Sequence, residues 1–242
     1  MKIYIGLFAF VCCLFLLGTG CTGDSVSTEQ SSTQNTPTTP TEEDTGKTVE
    51  NGKNKGEDFF EDYVHQNRLI WQKPDLVLDF LGDLEGKTVA DIGAGTGFFT
   101  MRLVQDAGKV IATDIDPRFI AYLDSVKVLE VPESLQDRLE TRLVKPDDPM
   151  LKAGEADVVI IVNTFMYIKD RTDYLAKLKR AIKPGGKLLI IDFKKKRTPI
   201  GPPTDLRVPL YVVEAEMYDA GYRQVTTDDT SLDYQYVVMA EK

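Results

Sequence analysis

The sequence predicts an α/β sandwich built on a mainly parallel sheet. Three observations carry this. From Lys87 onward, strand and helix patterns alternate. The run ADVVIIVN (156–163) is apolar on both faces, as a central parallel strand must be. A glycine-rich turn, DIGAGTG (91–97), joins a strand to the helix after it.

The elements follow in order. Pro74 to Leu81 reads as a helix, with proline in its first turn and Leu76, Val77, Phe80 and Leu81 on one side. Lys87 to Asp91 is a short buried strand, and Phe98 to Asp106 the helix after the turn. Val110 to Asp114 gives a second strand and Pro117 to Ser125 a second helix. A helix over Pro132 to Leu139 and a strand over Glu140 to Val144 are expected next. After the central strand, Thr172 to Ile182 is an amphipathic helix stopped by Lys183-Pro184-Gly185-Gly186. Lys187 to Phe193 is a further buried strand and Val208 to Ala220 a helix. Two β-rich runs, Arg223 to Thr227 and Tyr234 to Ala240, complete the pattern.

The first 56 residues differ in kind. Lys2, an apolar run of 15 residues from Ile3 to Leu17, and Gly18-Thr19-Gly20 before Cys21 describe a secretory signal over residues 1–20. The run is short of the ~20 residues of a spanning helix. Small residues leading into a cysteine resemble a bacterial lipoprotein signal, in which Cys21 becomes the lipidated first residue. Gly18 stands where that pattern usually has leucine. The competing reading is an uncleaved anchor, since residues 3–23 carry no charge. Both tether the chain to a bacterial envelope membrane and place the remainder outside the cytoplasm. Residues 21–56 hold nine Thr, four Ser and only two sizeable aliphatic side chains, Val26 and Val49. So little apolar surface cannot offset ordering entropy, so a flexible stalk is expected. Residues 57–242 then form one domain with its own core.

Composition excludes several chemistries. The chain of 242 residues has 29 Lys+Arg against 38 Asp+Glu, a net charge of −9. Of this, −7 belongs to residues 57–242, with 25 basic and 32 acidic side chains. Acidity of this order argues against nucleic acid as a partner, because phosphate neutralisation needs Lys and Arg. Cys12, Cys13 and Cys21 are the three cysteines, so the domain has no disulfide, thiolate metal site or cysteine nucleophile. With His65 the only histidine, no metal centre is expected either.

In such a sheet, ligands bind beyond the carboxyl ends of the strands, where the strand order reverses. The turn Gly93-Ala94-Gly95-Thr96-Gly97 lets the backbone bend and approach a ligand closely, with amides free at the next helix start. A dinucleotide fingerprint would need glycine at 98, which is Phe98, so NAD is disfavoured. Asp114, at the end of the second strand, can accept hydrogen bonds from ribose hydroxyls, or it can serve as a helix cap.

The segments VADIGAGTGFF (89–99), VIATDIDPRFI (110–120), ADVVIIVN (156–163) and LKRAIKPGGKLLIIDF (178–193) together resemble the motifs of class I S-adenosylmethionine-dependent methyltransferases. The resemblance implies a Rossmann-like three-layer sandwich, its seven-stranded, mainly parallel sheet ending in an antiparallel strand. It implies S-adenosyl-L-methionine as cofactor, with Gly93 to Gly97 around the methionine end and Asp91 beneath. Asp114 would hold the ribose, Ile115 would lie against the adenine, and Asp147 or Asp148 would meet its amino group. Asn163 would sit beside the amino-acid moiety or the acceptor. Related enzymes often carry His-His shortly after that asparagine; here the chain reads Thr164-Phe165-Met166-Tyr167.

Methyl transfer requires chiefly alignment and exclusion of water, and a general base only for a protonated acceptor. Tyr167, Asp192 and His65 are the candidate bases; each also has a packing or surface reading. The aromatic-rich segment 57–81 reads either as a lid, with Trp71 and Gln72 lining the site, or as packing on the sheet edge. The run Lys194-Lys195-Lys196-Arg197 is either a solvated loop or an attractor for an anionic acceptor or lipid headgroups. The expected activity is methyl transfer to a small-molecule, lipid or envelope acceptor. A cofactor-binding module without turnover and a protein methyltransferase of the envelope are the other classes. The sequence fixes no oligomeric state.

Overall fold

In the computed structural model, residues 67–242 are described. His65, Cys21, the signal, the stalk and the first part of the lid segment lie outside them. The described residues comprise α1 (Arg68–Gln72), α2 (Pro74–Leu81), β1 (Thr88–Ile92), α3 (Thr100–Asp106), β2 (Lys109–Asp114), α4 (Pro117–Glu130) and α5 (Glu133–Gln136). These are followed by β3 (Leu139–Leu143), β4 (Ala156–Val162), a 3-10 turn (Phe165–Tyr167), α6 (Arg171–Ala181), β5 (Ile182–Phe193), α7 (Leu210–Asp219), β6 (Arg223–Asp228) and β7 (Gln235–Glu241).

One seven-stranded sheet runs in the order β3-β2-β1-β4-β5-β7-β6. The first five strands are parallel, while β7 is antiparallel to both β5 and β6. From β1 the chain builds outward to β2 and β3, then returns to start β4 on the other side. The order therefore reverses between β1 and β4, and their carboxyl ends flank the crevice where a ligand belongs.

Burial explains the layers. The residues of β4 from Val158 to Val162 are all buried, as a strand covered on both faces requires. Ala90, Ile111, Val159 and Ile161 face one core with Leu175 and Leu178 of α6 and Val213 and Met217 of α7. Val89, Val110, Ala112, Val158 and Ile160 face the other, with Val77 of α2, Leu103 of α3 and Leu123 of α4. Helices thus cover both faces, giving the expected three-layer sandwich.

Four local differences from the sequence reading have physical causes. The helix expected over Pro132 to Leu139 shrinks to the four residues of α5, none of them buried. Leu139 instead pairs with Val110 and is buried in β3, which gains more than another exposed helical turn would. Helix α4 runs beyond Ser125 to Glu130, because nothing breaks it before Pro132 disfavours helix at Val131. Lys183 to Gly186 belong to an irregular start of β5, across which its register with β4 shifts. Finally, α1 is separate from α2: Lys73 takes a left-handed conformation, φ 46°, and Pro74 opens the next helix.

Candidate functional site

The site is built from the end of β1 upward. The Gly93 and Ala94 amides both donate to the Thr113 carbonyl of β2, each at 2.9 Å. The Gly95 amide donates to Asp114 Oδ2 at 2.9 Å, and Asp116 N donates to Oδ1 at 3.0 Å. Three consecutive amides of the turn are therefore tied to the last residues of the neighbouring strand. Both Gly93 (φ 72°) and Gly95 (φ 55°) lie in the left-handed region that side chains disfavour. They differ in surroundings. A β-carbon on Gly93 would lie 2.4 Å from Thr164 Oγ1, whereas one on Gly95 would meet nothing within 4 Å. The first glycine packs against the end of β4, and the second forms an open crest a ligand can approach.

Beneath the turn, Asp91 is buried and accepts from Thr100 Oγ1 at 2.6 Å, coupling β1 to α3. Burial pushes its pKa up to about 6, opposed by Thr100 and by the Arg68 guanidinium. Arg68 itself lies 4.0 Å from the Phe98 ring centroid and is lowered to about 10, chiefly by burial. Asp114 is buried except for a sliver of surface, while Ile115 next to it is 57% exposed. A carboxylate and a bare aliphatic platform thus stand side by side at the tip of β2.

A second cluster closes the other side of the crevice. Gln72 Nε2 donates to Gln235 Oε1 at 2.9 Å, and Gln235 Nε2 donates to Asn163 Oδ1. Asn163 Nδ2 approaches Gln72 Oε1 at 3.4 Å, and Arg68 Nε donates to the same oxygen at 2.8 Å. Gln72 and Gln235 are fully buried. The three amides join α1, the end of β4 and the start of β7 in a closed ring, and Asn163 adopts φ 56° to reach it. Gln72 therefore supports Asn163 from inside. Trp71 packs on Phe193 with ring centroids 5.5 Å apart. Among the described residues, its Nε1–H is the one buried side-chain polar atom without a hydrogen-bond partner.

The remaining expected residues are spread more widely. Asp192 is fully buried at the end of β5, accepting from Met166 N at 2.9 Å and Phe193 N at 3.2 Å. Burial pushes it up to about 7, against those amides and the Arg171 and Arg207 guanidiniums. It anchors the 3-10 turn that carries Tyr167, and its enclosure gives it a positioning job rather than contact with an acceptor. Tyr167 is 59% exposed. Asp147 and Asp148 are exposed in the loop after β3; Asp148 Oδ1 accepts from Met150 N at 2.8 Å, and the Asp147 carbonyl accepts from Lys177. Arg142 forks onto both Glu155 oxygens at 2.9 and 3.1 Å and holds that loop against β3. This pair keeps Glu155 down at about 2.

Sequence reading missed Gln235, Arg68, Thr164 and Arg207. Gln235 had a readable signal, a polar residue at the head of the apolar run YVVMA. The others act through geometry that no local pattern encodes.

A parallel-sheet α/β domain with a glycine crest, an acidic residue at the tip of β2 and an amide cluster at the tip of β4 is a nucleoside-cofactor-binding domain. Comparison with known proteins narrows the class. Residues 90–190 match the family model described as a methyltransferase domain. A solved S-adenosylmethionine-dependent methyltransferase from Aquifex aeolicus superposes with a TM-score of 0.66 at 28% identity, covering 74% of this chain and 95% of that one. A tRNA U34 carboxymethyltransferase of Cellvibrio japonicus is 31% identical over 124 residues, 51% of this chain and 37% of its own. A ubiquinone/menaquinone biosynthesis C-methyltransferase of Escherichia coli is 30% identical over 133 residues, 52% of this chain and 49% of its own. The matches to these curated relatives thus span less than half of their length. The described domain has the fold of the S-adenosylmethionine-dependent methyltransferases, and its cofactor-binding half matches a methyltransferase family in sequence.

Two predictions follow from the geometry. Gly93→Ala forces a methyl group into Thr164 at a backbone angle alanine disfavours, so cofactor affinity should fall by at least about tenfold, roughly 1.4 kcal/mol; titration calorimetry against wild type measures it. Asp91 and Asp192 have folded pKa values above the ordinary carboxylate value of 3.8. Both hold their protons more tightly when folded, so their contribution to stability is full below about pH 4. It is lost as pH rises through about 6 and 7. Urea unfolding between pH 5 and 8 should show stability falling with pH, and Asp192→Asn should flatten that slope.

Proposed function

We propose that this protein is an S-adenosyl-L-methionine-dependent methyltransferase tethered to the bacterial envelope. The observation that carries the reading is the open Gly95 crest beside Asp114, facing the Asn163 cluster across the β1–β4 reversal. The methyltransferase match over residues 90–190 covers both sides of it. The residues fit the cofactor chemically. A left-handed crest with nothing above it admits the methionine moiety, Asp114 retains lone pairs for ribose hydroxyls, and Ile115 offers an apolar face to adenine. Asp147 or Asp148, in the exposed loop after β3, would meet the adenine amino group. Asn163 would receive the amino-acid end.

The cofactor supplies an activated methyl group on a sulfonium. The chain has to align the acceptor with it and keep water away, which can be worth ~7–11 kcal/mol. Trp71 and Phe193 pack together as an apolar support beneath this end of the sheet. Tyr167, on the turn fixed by Asp192, carries an exposed hydroxyl that can hydrogen-bond an acceptor. The acceptor is a small molecule, a lipid or another envelope component.

The full-length protein should bind S-adenosylmethionine and S-adenosylhomocysteine in calorimetry, and absence of binding by both would end this reading. Labelled methyl transfer into envelope extracts then distinguishes turnover from binding alone. For the tether, metabolic palmitate labelling should be lost in Cys21→Ala; equal labelling of both proteins would remove lipidation at that residue.

A further inference from the structure

The segment Lys194–Arg207 leaves β5 directly beyond Phe193 and folds around a buried cation. Arg207 is 3% exposed, and its guanidinium donates to the carbonyls of Pro202 at 2.8 Å, Lys194 at 3.1 Å, Lys196 at 2.8 Å and Ile200 at 3.3 Å, and to Thr198 Oγ1 at 2.8 Å. Alternate residues of the loop thus turn their acceptors inward. With those acceptors consumed, the exposed side chains of Lys195, Lys196 and Arg197 are left on the outside. They line, with Thr204 and Asp205, a cleft of about 520 Å³. The loop is also seated on the site: the Arg207 guanidinium lies 5.1 Å from the Phe193 ring centroid, and Phe193 packs on Trp71.

None of the three cations forms an ion pair with a carboxylate of the described residues. Asp205 is the one anion in the lining. In a domain with a net charge of −7, three unpaired cations on one shallow, open cleft form a local reversal of sign. The hydrogen bonds from Arg207 fix the backbone that carries them independently of any ligand.

We propose that this cleft binds a phosphate group of the methyl acceptor, so that the acceptor class is a phosphorylated compound. The proposal rests on the methyltransferase reading for the word acceptor, while phosphate recognition by the cleft stands on the loop alone. Lys195, Lys196 and Arg197 provide charge-assisted donors to phosphate oxygens, and Thr204 a hydroxyl donor. Beyond Phe193, the cleft holds the phosphate outside the Trp71–Phe193 pair while another part of the same molecule reaches the methyl group. Such binding energy, remote from the reacting atom, serves alignment.

The test uses the full-length protein at low ionic strength with two probes, inorganic phosphate in calorimetry and phosphatidylglycerol vesicles in sedimentation, with phosphatidylcholine vesicles as the uncharged reference. Lys195→Gln/Lys196→Gln/Arg197→Gln changes only exposed side chains. It should weaken phosphate binding by at least about tenfold and lower the preference for phosphatidylglycerol on the order of a hundredfold. Asp205→Asn, which removes the opposing charge, should strengthen phosphate binding severalfold. Loss of the phosphate response alone assigns a soluble phosphorylated acceptor, and loss of the vesicle preference assigns a phospholipid headgroup; either supports the cleft. Equal binding of both probes by wild type and triple variant, or no binding of either by wild type, overturns it. S-adenosylhomocysteine affinity, measured in parallel, should stay within about twofold in the triple variant. Failure of wild type to bind that compound would strike the methyltransferase reading and leave the phosphate result to stand or fall separately.

Discussion

Everything at the ligand end depends on how the glycine turn is fastened to the tip of β2. Gly93, Ala94 and Gly95 give their amides to Thr113 and Asp114. These bonds fix the half-exposed turn to the sheet, where water could otherwise compete for the same amides. The fastening also sets direction. Because Asp114 is engaged from the glycine side through Oδ2 and from the helix α4 side through Oδ1, its carboxylate is held without rotational freedom. A cofactor meets a surface already arranged, so little binding energy is lost to ordering it.

The opposite wall solves a different problem. The chain turns at the end of β4, where α1 and the start of β7 meet it. Asn163 makes that turn in a left-handed conformation that asparagine tolerates better than most residues. Its amide is then held by Gln72 and Gln235, from elements 91 and 72 residues away in sequence. Neutral amides suit this place. Each has both donors and acceptors, so a ring of them can be satisfied inside the core without the desolvation cost of a charge.

Legibility in the sequence follows the range of the interactions. The parallel order, the glycine turn and Asp114 were readable because each depends on neighbours a few residues away: apolar runs, alternate glycines, a strand end. The antiparallel β7 came only through the family resemblance, since YVVMA carries no mark of direction. The short α5 was overcalled because helical propensity was weighed without asking what Leu139 would bury. Asp192 looked like a strand-end acid available for chemistry. Its burial is decided by Met166 and by helices packed from elsewhere, which no window around β5 contains. Arg207 was invisible for the same reason: the chain that cages it begins thirteen residues earlier.

Asp192 and Arg207 also illustrate how the domain carries charge into its interior. They are opposite in sign and close enough to influence one another, yet they share no hydrogen bond; each is held by backbone dipoles. Burial raises the Asp192 pKa to about 7, and the backbone amides and the Arg171 and Arg207 guanidiniums only partly oppose it. What the arrangement secures is independence of two neighbouring parts. Asp192 fixes the turn bearing Tyr167, Arg207 fixes the loop bearing the cations, and Phe193 packs on Trp71 and lies beside the Arg207 guanidinium. The two supports are therefore separate, because neither Asp192 nor Arg207 takes the other as a hydrogen-bond partner.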